Sequence, residues 1–240
     1  MKEAITFGVY MSFFGAISSV IGAFIGAIFN IKSKAMISFL YQITAGIMTG
    51  IVCFEMLPES FEMASIIYSI IGIILGVFLI YFLDIIIQNK SKQKNATKII
   101  SLIVILSMSF HNIIEGLAVG SSFVYSAALG TTVLIGMFLH DIPEGMVVGV
   151  TSKVEGKNFK RIMFESLMVG ACAGVGTCIG NCIGKINEKY IALSLSIAAG
   201  AMLYLVSCEL IPSSSEIYKN KKIYITFILG IIIGALISKI

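Results

Sequence analysis

The chain has 240 residues, of which 58% are hydrophobic and 12% charged, about half the charged share usual in a soluble protein. With a mean hydropathy of +0.99 and apolar runs of spanning length from end to end, the composition excludes an ordinary soluble domain and predicts an all-α polytopic membrane protein. The net charge of +4 does not signal a nucleic-acid partner, because the basic residues cluster between apolar runs, which is how membrane topology is encoded.

In chain order the runs predict spans near 4–29, 35–57, 66–88, 97–120, 126–150, 163–184, 190–212 and 222–239. At roughly 20 residues per span, eight helices use up 1–240 as a single transmembrane domain. The N-terminal stretch lacks a basic leader and a small-residue cleavage pattern, so it reads as the first span. Thirteen of the seventeen basic residues fall in the loops after spans one, three, five and seven, among them Lys90, Lys98, Lys157 and Arg161. Basic loops stay in the cytoplasm, so both termini are expected outside a cytoplasmic membrane.

Five cysteines all lie in apolar segments, an odd number that argues against a disulfide framework. Glycine pairs four apart, such as Gly22/Gly26, Gly72/Gly76 and Gly230/Gly234, read as close helix packing. Cys178 with Cys182, and Met137 with Met146, read as packing too. Glu59 and Glu62 would make the outer mouth weakly acidic, which favours cations.

The chain resembles itself twice. Span two carries Ala45-Gly46-Ile47-Met48 and then Glu55-Met56-Leu57-Pro58; span seven carries Ala199-Gly200-Ala201-Met202 and then Glu209-Leu210-Ile211-Pro212, at an offset of 154. With an odd number of connections between them the copies run in opposite directions, the inverted repeat common among secondary transporters. Span four contains His111-Asn112-Ile113-Ile114-Glu115-Gly116 and span five contains His140-Asp141-Ile142-Pro143-Glu144-Gly145, and these are the protein's two histidines.

On a helix, residues at i, i+3 and i+4 share a face. Two antiparallel copies would therefore converge two imidazoles, three carboxylates and the Asn112 amide, for which capping or bridging helices is the lesser alternative. Imidazole and carboxylate are ligands of zinc, iron, manganese and cadmium. A carboxylate left alone at mid-membrane costs at least a few kcal/mol (~2.5–3.5 for Asp). Apart from Lys98 at the very start of span four, neither span carries Lys or Arg, so the partner is a metal or protons. Pro143 is expected to kink span five and free a carbonyl. Glu165, Glu55 and Glu209 are further carboxylates placed in spans.

The motifs H-N-x-x-E-G and H-x-x-P-E-G resemble those of the Zrt/Irt-like (ZIP) divalent metal transporters. Glu55-x-x-Pro58-Glu59 is similar to their GufA-like bacterial branch. The resemblance runs over essentially the whole chain. It implies three-helix inverted repeats, spans 1–3 and 6–8, around a central pair. It implies inward movement of Zn²⁺, or of Fe²⁺, Mn²⁺, Cd²⁺ or Co²⁺, with no prosthetic group and two ions per protomer. The first ion would be held by His111, Glu115, His140 and Glu144. The second would be held by Asn112, Glu115, Asp141 and Glu144, with Glu165 as a further ligand and Glu55 and Met48 as lesser contributors. A homodimer in the lipid bilayer is implied as well. One departure is that the loop 88–98 has no histidine, where many members carry a His-rich loop.

The rival reading is a metal-dependent intramembrane hydrolase. It would need an open coordination position and usually a His-rich ligand set, and two histidines in the whole chain serve it poorly.

Overall fold

The computed structural model describes the backbone of residues 2–28, 33–91 and 96–239, and leaves the side chains of 2, 3, 87–91, 96–104, 107, 143 and 154 undescribed. Among the described residues the regular structure is entirely helical. The long helices are α1 (Lys2–Ile28), α2 (Lys34–Met63), α3 (Ile66–Ser91), α4 (Ala96–Tyr125), α5 (Ala127–Val154), α6 (Phe159–Gly184), α7 (Glu188–Ile217) and α8 (Tyr224–Ile237).

Polar caps divide the apolar runs. Ser33 accepts from the Met36 N–H, Asn158 from Arg161 and Asn187 from Lys189. These caps satisfy amides that each helix start leaves without an intrahelical partner. Ser126 alone separates α4 from α5: its extended backbone breaks the helix and its hydroxyl caps Leu129. So short a turn makes α4 and α5 an antiparallel hairpin and brings the two histidine motifs side by side.

Six helices, α1, α2, α3, α5, α6 and α7, contain described stretches long and apolar enough to cross a membrane. The expected fourth span lies in α4, whose first side chains are outside the described residues. The expected eighth coincides with α8, 14 residues long after a short 3₁₀ turn at Lys221–Ile223. The protein is a multi-pass membrane protein. Its outer surface is apolar: on α3, Ile66, Ile67, Phe78 and Phe82 are at least half exposed.

The tightest helix pairs are α1 with α5 and α6, α4 with α5 and α6, α2 with α8, and α3 with α7. Glycine sets the closest approaches. A Cβ on Gly116 would run into the Ala173 carbonyl of α6, and one on Gly145 would meet the Ser19 backbone of α1. Each of these glycines follows a motif glutamate, so the residue that closes the packing is chained to the residue that faces the site.

The spans around Pro58 and Pro212 differ from simple helix ends. Neither proline stops its helix. A π-helical segment, Val52–Met56 in α2 and Leu205–Leu210 in α7, precedes each one. Such wide turns recur where a helix carries function. Ser60 and Ser214, at the same offset of 154, are both fully buried. Ser60 bonds Ser69 and the Ala192 carbonyl, and Ser214 bonds Ser38 and Gln42.

Candidate metal centre

α4 contributes His111, Asn112 and Glu115, and α5 contributes His140, Asp141 and Glu144. All six are at most 4% exposed. Glu115 lies between the two imidazoles. Its Oε1 is 2.7 Å from His140 Nε2, in a hydrogen bond, and 2.9 Å from His111 Nε2. His111 Nε2 is also 3.4 Å from Glu144 Oε1. Ligand atoms of His111, His140 and Glu144 fall within 4.8 Å of one another, as do those of Glu115, His140 and Asp141. The two sets share His140.

Many of these atoms lack a hydrogen-bond partner despite their burial: both nitrogens of His111, His140 Nδ1, Asn112 Oδ1, Glu115 Oε2, Asp141 Oδ1 and Glu144 Oε1. His111 Nε2 approaches Glu115 without hydrogen-bond geometry. Buried polar atoms are nearly always satisfied, and buried charges are paired or bind metal. With one lone-pair nitrogen per neutral imidazole, the orphaned nitrogens and oxygens of this cluster form a ligand set suited to a cation.

The surrounding helices orient these ligands. Asn112 Nδ2 donates to the Val169 carbonyl of α6 at 3.0 Å, which uses its donor end and leaves Oδ1 for a cation. Ser18 of α1 donates to Asp141 Oδ2 at 2.8 Å, leaving Oδ1 open in the same way. Second contacts of this kind fix ligand orientation in metal sites. Ser18 was not legible as a site residue, because a serine in an apolar helix reads as a small packing residue.

A narrow pocket, with about 10 Å³ open to a water-sized sphere, reaches Glu115 and His140 from the α4–α5 turn side, with Ile51, Met56, Val133, Met137 and Met202 among its walls. Met137 is 2% exposed and belongs to the apolar core as well as to this wall. Met48 is fully buried in the apolar core, and it does not line this cavity.

The other expected contributors stand apart. Glu55, in the π segment of α2, is 5% exposed with neither oxygen hydrogen-bonded, but it is not among the grouped ligand atoms. Glu209, in the matching segment of α7, is half-buried. Glu165 of α6 is buried, and its oxygens are taken by Arg161 of its own helix, by Lys157 of the α5–α6 connection and by Ser152 of α5. Arg161 is four residues before Glu165, a spacing that could have flagged the pair. The side chain of Pro143 lies outside the described residues, and α5 is helical on either side of it. The five cysteines are all free.

A paired histidine–carboxylate cluster thus lies inside a bundle of apolar helices, and its groups could hold a metal ion. Residues 87–238 match the family model described as ZIP zinc transporter, and the chain belongs to that family. It is 38% identical over 115 residues to the zinc transporter GufA of Myxococcus xanthus, covering 48% of this chain and 45% of that one. It is 36% identical over 59 residues to the zinc transporter ZupT of Chlorobium luteolum, covering 25% of this chain and 22% of that protein. To the ZupT of Clostridium perfringens it is 30% identical over 95 residues, 35% of this chain and 33% of that one. Each match thus spans less than half the length of the relative.

Proposed function

We propose that this protein carries divalent metal ions, Zn²⁺ foremost, across the cytoplasmic membrane into the cytosol, through a two-ion site between α4 and α5. The observation that carries the reading is the buried, unsatisfied ligand set of His111, Asn112, Glu115, His140, Asp141 and Glu144. Carboxylates at membrane depth mark ion paths by default. One ion is held by His111, Glu115, His140 and Glu144, and the other by Asn112, Glu115, Asp141 and Glu144. Fe²⁺, Mn²⁺, Cd²⁺ and Co²⁺ suit the same donors.

The chain crosses the membrane eight times with both termini outside. Its first and last three helices form inverted repeats around α4 and α5. The matched π segments and the mirrored pairs α2·α8 and α3·α7 support this. The tight packing of α1, α4, α5 and α6 on one another, and of α2 with α8 and α3 with α7, supports movement of one group against the other to expose the site alternately. The functional unit is a homodimer. The hydrolase reading of the same ligands loses its support with the family assignment.

The test is zinc flux into proteoliposomes holding a zinc-responsive dye, wild type against Glu144→Ala. Flux in the wild type that the variant lacks upholds the reading. Folded wild-type protein that binds zinc and moves none overturns it.

A further inference from the structure

A second buried polar cluster closes the bundle at the other end of the ligand helices, where α5 passes into α6. Glu165 is 7% exposed. Its Oε1 accepts from Arg161 Nε at 2.7 Å. Its Oε2 accepts from Lys157 Nζ at 2.9 Å and from Ser152 Oγ at 3.2 Å. Gly156, with φ of +89°, adopts a backbone conformation open to glycine, and the connection turns Lys157 back toward α6. One buried carboxylate therefore holds two cations that belong to the protein itself.

The two cations are not equal. The Arg161 side chain is 62% exposed and that of Lys157 is 18% exposed. Solvent-exposed ion pairs contribute little, so Lys157 is the partner with leverage. Lys157 also has a second partner at the same time: its Nζ is 2.8 Å from Glu155 Oε2. An ammonium removed from Glu165 would remain paired with Glu155. Taking an ammonium out of water without a partner is costly, and Glu155 avoids that cost. The geometry thus gives Lys157 a second carboxylate that keeps it paired if Glu165 is taken by another cation.

We propose that Lys157, supported by Arg161, is a built-in counter-cation that occupies Glu165 between passages of the transported ion. A divalent ion leaving the histidine–carboxylate cluster displaces Lys157 onto Glu155. The return of Lys157 to Glu165 then expels the ion toward the cytosol. Lys157 is a positioning residue in this scheme: it acts on the ion through Glu165. The inference rests on the transport reading for its direction, whereas the competition between lysine and metal for Glu165 stands apart from it.

The competition is read by calorimetric titration of the purified protein with Zn²⁺. Lys157→Met should tighten the weakest class of sites by about tenfold, equivalent to ~1.4 kcal/mol. Glu165→Gln should abolish that tightening in the double variant, and Lys157→Arg should restore wild-type affinity, which also guards against a folding defect. Glu155→Gln should weaken zinc at this site, because Lys157 loses its alternative. In proteoliposomes Lys157→Met should lower KM and kcat together. Unchanged or weaker zinc binding in Lys157→Met, or tightening that survives Glu165→Gln, would overturn the proposal. Absence of flux in wild-type proteoliposomes would instead count against the transport reading, with the titration still deciding the competition.

Discussion

The Ser18 hydroxyl of α1 donates to Asp141 Oδ2 of α5 at 2.8 Å, fully buried. A hydrogen bond to a charged group contributes about 1.5–3 kcal/mol, and this one aims Oδ1 into the cluster. Ser18→Ala should therefore weaken the site that uses Asp141 by roughly tenfold, on that same energy scale. Calorimetric zinc titration checks it, and unchanged affinity for every site would refute the role.

Asn112 gives its donor end to the Val169 carbonyl, so only its oxygen is left for an ion. Asn112→Leu removes that oxygen while leaving His111, Glu115, His140 and Glu144 in place. The expected outcome is that zinc stoichiometry falls from two ions to one, measured by equilibrium dialysis. Retention of both ions would remove Asn112 from the ligand set.

Gly116 packs against the Ala173 backbone, which cannot yield, whereas a Cβ on Gly136 would meet the end of the Ile51 side chain at 2.9 Å. Overpacking typically costs about 1–3 kcal/mol. Gly116→Ala should lower the thermal unfolding temperature in detergent more than Gly136→Ala does. Equal shifts would mean that the α4–α6 contact is looser than described.

The topology has its own check. In a protein freed of its five native cysteines, a thiol placed at Ser65 or Asn187 should react with a membrane-impermeant reagent from outside intact cells. One placed at Lys160 or Asn220 should react only after the membrane is opened. The reverse pattern would invert the orientation, and a mixed one would change the number of spans.

Much of this was legible in the sequence. Hydropathy marks the spans because lipid imposes a minimum apolar length. The i, i+4 spacing of His111 with Glu115, and of His140 with Glu144, puts the ligands on helix faces that the structure does bring together. Tertiary placement was not legible. Ser18 gains its meaning from a contact 123 residues away. Glu165 reads as a ligand by motif position, yet the α5–α6 connection folds Lys157 onto it. The π segments before Pro58 and Pro212 are a change of backbone register that hydrophobic periodicity does not report.

In the proposed pathway ions cross through the cluster around Glu115, which lies between both histidines. The most direct measurement is zinc accumulation in proteoliposomes by wild type and by Glu115→Gln, which keeps the shape and removes the charge. Loss of an outer-shell partner already costs a metal site about 10–100-fold, so loss of this inner charge should reduce flux at least that far while the protein stays folded. Wild-type flux in the variant would mean that ions do not cross through this cluster.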